Sequence, residues 1–460
     1  MLFSSQPFLL LFLPLSLAIY YSLARSYRAR VIVLTLTSIG FYAWWDLRFV
    51  PLLAATIMLN WGIVRYHQSS DAPWCLWLGV CLNLTILGLF KYVNFFAESV
   101  LNLVGLTHQP WNIVLPLGIS FFTFQQISYL VDRYRGEAPV YGFTEYCAYV
   151  SFFPQLIAGP IVRHNQMIPQ FAESPWRNDL SEQVSRGLVV LTLGLIKKVF
   201  FADELAPIAN DGFDAVAVGQ TITFGAAWLC SIAYSLQLYF DFSAYSDMAI
   251  GLGALFGFRL PLNFDAPYRA LNIREFWRRW HITLSNFLRD YVYIPFGGNR
   301  GGLYRVSFTV MATMLLCGLW HGAGWTFVAW GALHGAAICL NRAWSMIGIN
   351  LPKILAWLIT MLFVIAGWVL FRAESFSDAT EILRAMILFV PDSSIVESVG
   401  DVSIVIACAL FAVAGPTNKT VSEHPALLNR IYALVAGFGL FLVALRVGQG
   451  RGLEFIYFQF

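Results

Sequence analysis

Residues 318–325 read GLWHGAGW. They lie inside VSFTVMATMLLCGLWHGAGWTFVAWGALHGAAICL, residues 306–340, a run with no Asp, Glu, Lys or Arg. Imidazole is costly to bury in such surroundings, and each glycine weakens a helix by roughly 1 kcal/mol relative to alanine. A histidine, His321, followed by Gly322 and Gly324 therefore combines choices that helix stability does not favour. An ionisable group at lipid depth is by default a functional-site hypothesis. The glycines read as an opening of the helix that lets a substrate or a thin stretch of backbone reach the imidazole.

The rest of the chain fits that reading. Only 12% of the 460 residues are charged and 58% are hydrophobic, whereas soluble domains are about 25% charged; the mean hydropathy is +0.65. These values indicate an all-α polytopic membrane protein whose first partner is the lipid bilayer. A net charge of +3 is too small to suggest nucleic acid. Cys75, Cys81, Cys147, Cys230, Cys317, Cys339 and Cys408 contain no CxxC pair and lie mostly in apolar stretches, so neither a disulfide framework nor a metal site is expected.

Fourteen apolar runs are legible, near 7–22, 31–46, 50–64, 76–90, 111–131, 144–160, 187–202, 222–240, 243–260, 305–320, 325–341, 354–371, 402–415 and 428–446. A full span takes about 20 residues, so about eleven transmembrane helices are expected, with the shorter runs re-entrant, tilted or interfacial. Non-helical backbone at membrane depth needs protein or a water-filled cavity around it. Pro154 and Pro160 in FFPQLIAGPIVR, residues 152–163, are expected to break their helix. The first run has no preceding basic residue and is followed by Arg25, Arg28 and Arg30. It reads as a retained span with its N-terminus outside and those arginines inside.

The most polar long stretch, 261–304, interleaves Arg269, Arg274, Arg278, Arg279, Arg289 and Arg300 with aromatic residues, a pattern for helices in or dipping into the interface. His281 ends REFWRRWH. On a continuous helix it shares a face with Arg278 and Arg274, whose charges favour a neutral imidazole; the alternative is a surface histidine. His334 lies 13 residues after His321, roughly 220° beyond full turns on an unbroken helix, so the two are not expected to form one dyad. His334 reads equally as structural or supporting. Asp241 and Asp247, in LYFDFSAYSDMAIGLG, are expected to be ion-paired, with Arg269–Arg279 as the source of the cation. His67, His108 and His424 read as surface residues. The chain contains no P-loop, GxSxG elbow, HExxH or dinucleotide fingerprint, which leaves histidine base chemistry.

Five stretches carry a resemblance: LPLGISFFTFQQISYLVDRYRG at 115–136, FFPQLIAGPIVR at 152–163, YFDFSAYSDMAIGLGALFGFRLPLNFDAPY at 239–268, FWRRWHITLSNFLRDYVYIPFGGNR at 276–300 and GLWHGAGWTFVAWGALHG at 318–335, with FIYFQF at 455–460. The chain resembles the membrane-bound O-acyltransferases, in the bacterial branch of alginate O-acetyltransferases and the D-alanyl transfer protein of teichoic acid modification. The resemblance implies a single domain over 1–460, with 115–341 as its motif-bearing core, folded as a ring of helices around a thin central region with a funnel from each face. It implies transfer of an acyl group, acetyl as first choice, from a cytoplasmic thioester such as acetyl-CoA to a hydroxyl of an extracytoplasmic polysaccharide. No permanently bound cofactor is implied, a periplasmic acetyltransferase partner is, and the location is the bacterial inner membrane. His321 of the WHG motif corresponds to the catalytic residue and His281 of the RWH motif to the second site histidine. Arg274, Arg278 and Arg279 are candidates for donor phosphates; His334, Asp241 and Asp247 are candidates for supporting roles. A multi-pass transporter or a non-catalytic scaffold of a polysaccharide export complex remains open at this point.

Overall fold

Helices form every regular element among the described residues, as expected where lipid offers backbone groups no hydrogen bonds. The computed structural model describes residues 2–23, 25–107, 109–388, 398–419, 430–447 and 455–456; His108 and His424 lie outside them. Leu47–Ser70, Trp74–Lys91, Leu303–His321 and Lys353–Arg372 are long and apolar enough to cross a membrane, and Phe8–Ser22, Val399–Ala414 and Ala436–Val447 are apolar but shorter. Most expected runs coincide with helices. Two do not stay separate: 222–240 and 243–260 join in one helix, Phe224–Leu255, of 32 residues. Asp241 and Asp247 interrupt the hydropathy but not the backbone. The chain falls into two compact units, one within Met1–Leu193, Tyr245–Pro261 and Ala426–Arg451, the other within Gly194–Ala244, Leu262–Pro425 and Gly452–Phe460.

The first unit is joined internally by a buried polar ladder. Asn60 Nδ2 donates to Gln126 Oε1 at 2.9 Å, Asn83 Nδ2 donates to Asn60 Oδ1 at 2.7 Å, and Gln126 Nε2 donates to Thr56 Oγ1 at 3.3 Å. These residues sit on Val50–Ser70, Trp74–Lys91 and Ile119–Tyr134, so three helices share one network with polar groups that lipid could not satisfy. Gly118 starts Ile119–Tyr134 at φ 73°, and a Cβ there would lie 2.6 Å from the Leu156 carbonyl oxygen. Both the left-handed backbone and the close contact require glycine. The chain does break within 152–163, but not at Pro154: the first helix ends at Ser151, the short Phe153–Leu156 restarts with Pro154 in its first turn, and 157–159 turn before the irregular stretch that begins at Pro160. Arg25 and Arg28 are exposed, whereas Arg30 is buried and donates to the Phe171 carbonyl at 2.8 Å.

In the second unit Leu303–His321 and Trp325–Ile347 form a hairpin through the extended Gly322 and Gly324. The two helices touch through bare α-carbons. A Cβ on Gly318 would lie 2.2 Å from the Phe327 carbonyl oxygen, and one on Gly331 would lie 2.3 Å from that of Met314. The unit's other elements near this hairpin are Lys353–Arg372 and two seven-residue helices, Ile273–Arg279 and Ile282–Leu288.

Replacing Asn60 by Leu strands its partners on two neighbouring helices and should cost about 1–3 kcal/mol. The expected outcome is a lower unfolding temperature in detergent than for the exposed control Ser69→Ala; equal temperatures would show that the ladder contributes nothing.

Candidate active site

His321 is the last residue of its helix and is buried. Its ring meets Trp320 at 4.8 Å, Trp330 at 5.2 Å and Phe371 at 5.3 Å between centroids. The glycine reading needs revision. A Cβ on Gly322 would lie 2.1 Å from Phe327 Cε2, so Phe327 fills the room that Gly322 makes. Gly322 lets the hairpin close; it does not leave a passage.

Because the chain turns back at 322–324, His334 does not stand where a continuous helix would put it. Trp330 lies between the two histidines, 5.2 Å from His321 and 4.6 Å from His334. They contact one indole from different sides instead of bonding as a dyad. Trp277 Nε1 donates to His334 Nδ1 at 3.2 Å. In a neutral ring the proton must then be on Nε2, which is buried and has no hydrogen-bond partner among the described residues.

His281 departs most from expectation. Ile273–Arg279 ends before it, Trp280 is extended, and His281 has φ 42° and ψ 56°. It therefore shares no helix face with Arg274 and Arg278. Nor is it a surface residue: it is fully buried, edge-on to Phe242 at 4.7 Å and 6.0 Å from Trp320. A left-handed conformation at a buried, non-glycine residue is strain that the surroundings must hold in place. Its Nδ1 lies 3.1 Å from Asn263 Oδ1, and its buried Nε2 has no partner among the described residues.

Arg274 and Arg278 line a cavity of about 720 Å³ together with Arg289 and Arg342. No carboxylate is among its lining residues. Of its lining residues Arg278, Arg289, Asn299, Ser345 and Met346 are exposed, and Trp277, Leu288, Val306, Thr313 and Met314 are buried. The indole of Trp277 thus faces the cavity and also donates to His334. Arg279 is not among the lining residues; it pairs with Glu275 at 2.9 Å. Arg289 and Arg342 were not singled out from sequence. Arg342 lies in the apolar-to-polar end of the second hairpin helix, and only the fold brings it to the same cavity as Arg274.

Asp241 is ion-paired as expected, but to Lys198 and not to an arginine of 269–279. Lys198 Nζ lies 2.7 Å from Asp241 Oδ1 and 2.9 Å from Asp203 Oδ1, all three side chains being nearly inaccessible. The other Asp241 oxygen accepts the backbone N–H of Ile456 at 2.7 Å, and the ammonium lies 4.5 Å from the Phe455 ring. The described part of the FIYFQF stretch thus rests on this triad; its remaining residues lie outside the described set. Asp247 is buried and belongs to the first unit. So does His164, to which the sequence assigned no role: its Nε2 meets Asp132 Oδ2 at 3.0 Å and its Nδ1 the Tyr141 hydroxyl at 2.9 Å. His67 is half-buried.

Comparison with known proteins decides the family. Residues 119–375 match MBOAT, the membrane-bound O-acyltransferase family. The chain belongs to this family. Its relatives include the peptidoglycan O-acetyltransferase of Helicobacter pylori, 42% identical over 84% of this chain and 80% of the relative. The probable alginate O-acetylase AlgI of Azotobacter vinelandii is 45% identical, over 85% of this chain and 78% of the relative. The teichoic acid D-alanyltransferase of Streptococcus thermophilus is 27% identical, over 64% and 71%. The chain is thus a membrane protein and an acyltransferase, and the WHG and RWH histidines of this membrane-bound O-acyltransferase fall within the matched residues.

Lys198→Met leaves two buried carboxylates without a cation and should cost about 3–5 kcal/mol. The expected readout is loss of folded, monodisperse protein on detergent extraction; normal yield and unfolding temperature would show that the carboxylates are otherwise compensated.

Proposed function

We propose that the protein moves an acyl group, acetyl as first choice, from a cytoplasmic thioester to hydroxyls of an extracytoplasmic polysaccharide, directly or through a periplasmic partner. Alginate and peptidoglycan, named for its relatives, are the acceptor classes to test first. The bacterial inner membrane is the expected location, with the N-terminus periplasmic and Arg25 and Arg28 on the cytoplasmic side.

One observation carries the reading: a cluster of buried histidines and tryptophans adjoins, through Trp277, a cavity whose only charged lining is four arginines. Guanidinium groups suit phosphates, and an uncharged inner end suits the pantetheine and acyl parts of a donor such as acetyl-CoA. Neutral His321 takes the proton of the acceptor hydroxyl, the oxygen attacks the thioester carbonyl, and the thiolate leaves. General-base assistance of this kind is worth about 10²–10⁴-fold, sufficient for a thioester that is already activated.

Purified protein given labelled acetyl-CoA and a glycan acceptor should release free thiol and label the glycan. His321→Ala should remove at least about 99% of the transfer while protein level stays normal; retention above about a tenth of wild type would exclude His321 as the base. Arg274→Glu combined with Arg342→Glu should raise the donor KM, and the defect should shrink at high salt, where the reversed charges are screened. An unchanged KM in this variant would move the donor elsewhere.

A further inference from the structure

We infer that Asn263 is a positioning residue that fixes the protonation pattern of His281, so that this histidine offers the reaction a lone pair and not an N–H. The inference rests on the acyl-transfer reading and assigns a role to a side chain that sequence reasoning passed over.

Thr283 fixes the orientation of the Asn263 carboxamide. Its backbone N–H donates to Asn263 Oδ1 at 3.2 Å and its hydroxyl donates to the same oxygen at 2.8 Å. A backbone N–H can only donate, so the carboxamide presents its oxygen here and not its NH₂. That same oxygen lies 3.1 Å from His281 Nδ1. Two acceptors cannot share a hydrogen bond, so Nδ1 carries the proton. In a neutral imidazole Nε2 is then unprotonated. It is the nitrogen that has no partner among the described residues.

The backbone is built to hold this arrangement. The Asn263 carbonyl accepts the Ile282 N–H at 2.9 Å, so Asn263 grips the chain on the C-terminal side of His281 with both its main chain and its side chain. His281 keeps φ 42° within that grip. The aromatic rings of Phe242, Phe264 and Trp320 surround the imidazole. The charged groups nearest in sequence are engaged elsewhere: Arg279 pairs with Glu275, and Asp265 pairs with Lys419 at 3.2 Å. No charged partner competes with Asn263 for the ring among these described contacts.

The chemical consequence is a division of roles. A neutral His281 with its proton on Nδ1 cannot donate from Nε2 to a thioester carbonyl oxygen. It can receive the proton that His321 takes from the attacking hydroxyl. The N–H groups that could donate in this cluster include Nε2 of His334 and Nε1 of Trp330, both buried and without partners among the described residues. His281 accepts, and the stabilisation of a developing oxyanion falls to other groups.

Three measurements test the assignment. Nitrogen NMR of ¹⁵N-histidine-labelled protein, with the His281 signals identified from His281→Gln, should show the proton on Nδ1 in wild type and a redistributed proton in Asn263→Leu. A proton on Nε2 in wild type, or no change in Asn263→Leu, overturns the inference whatever the activity does. In transfer assays Asn263→Leu should lower kcat by about tenfold or more with little change in donor KM, the pattern of a lost transition-state interaction. Asn263→Asp retains the acceptor for both Thr283 and His281 and should stay active. Its carboxylate favours the imidazolium, so the working base is lost at a higher pH, and the acid limb of the pH–rate profile should move upward. A purely structural Asn263 would leave that limb unmoved, which would also overturn the inference. If wild type releases no thiol from acetyl-CoA, the donor reading fails instead, and the NMR result still decides the role of Asn263.

Discussion

The histidine cluster depends on how closely two helix backbones can approach. Gly318 and Gly331 let Leu303–His321 and Trp325–Ile347 meet main chain to main chain, and that separation puts the Trp330 indole in contact with His321 and His334 together. A methyl group at either glycine would overlap a carbonyl oxygen of the opposing helix. The resulting shift would pass directly to the ring contacts, because tightly packed side chains transmit strain instead of absorbing it. Glycine thus serves geometry here more than flexibility. The helix-weakening residues beside His321 are offset by contacts that no larger residue permits.

Around that hairpin the protein settles proton positions by surrounding each imidazole with groups of known polarity. Trp277 can only donate, and it meets His334; the Asn263 oxygen can only accept, and it meets His281. Neither partner is charged. In an interior with little water an ion pair would carry a large desolvation cost, whereas a neutral partner sets the tautomer at small cost. The buried charges of Lys198, Asp203 and Asp241 lie on other elements and are satisfied by their own geometry and by the Ile456 N–H.

The sequence made some features legible because they break a local rule. A histidine in an uncharged run, glycines in a helix and prolines in a membrane stretch each violate an expectation about their own neighbourhood, and each led to a real structural feature. The helical, membrane-embedded class followed from composition. What remained hidden was set by distant partners. Lys198 as the mate of Asp241, Asn263 as the mate of His281 and Arg342 at the same cavity as Arg274 have no signature in local pattern, since a lysine, asparagine or arginine looks the same in sequence whatever it meets. The long helix Phe224–Leu255 was misdivided for a related reason. Hydropathy registers the cost of Asp241, but not the Lys198 ammonium that offsets it. His281 was misplaced by assuming a helix that stops two residues earlier.

The arginine-lined cavity has a consequence for the conditions under which the enzyme works. Arg274, Arg278 and Arg342, beside an Arg289 that Asp290 pairs at 2.6 Å, create a positive field that attracts polyanions, since electrostatic attraction over several ångströms does not read chemical identity. Nucleotides, inorganic polyphosphates and, on the donor reading proposed above, the spent coenzyme A thiol all carry the charge that such a surface gathers. If the donor proposed above binds here, its occupancy is a competition, and the rate of acylation follows the ratio of acylated donor to its spent form and to other phosphates in the same compartment. On that reading the cavity would couple acyl transfer to the metabolic state of the donor's compartment.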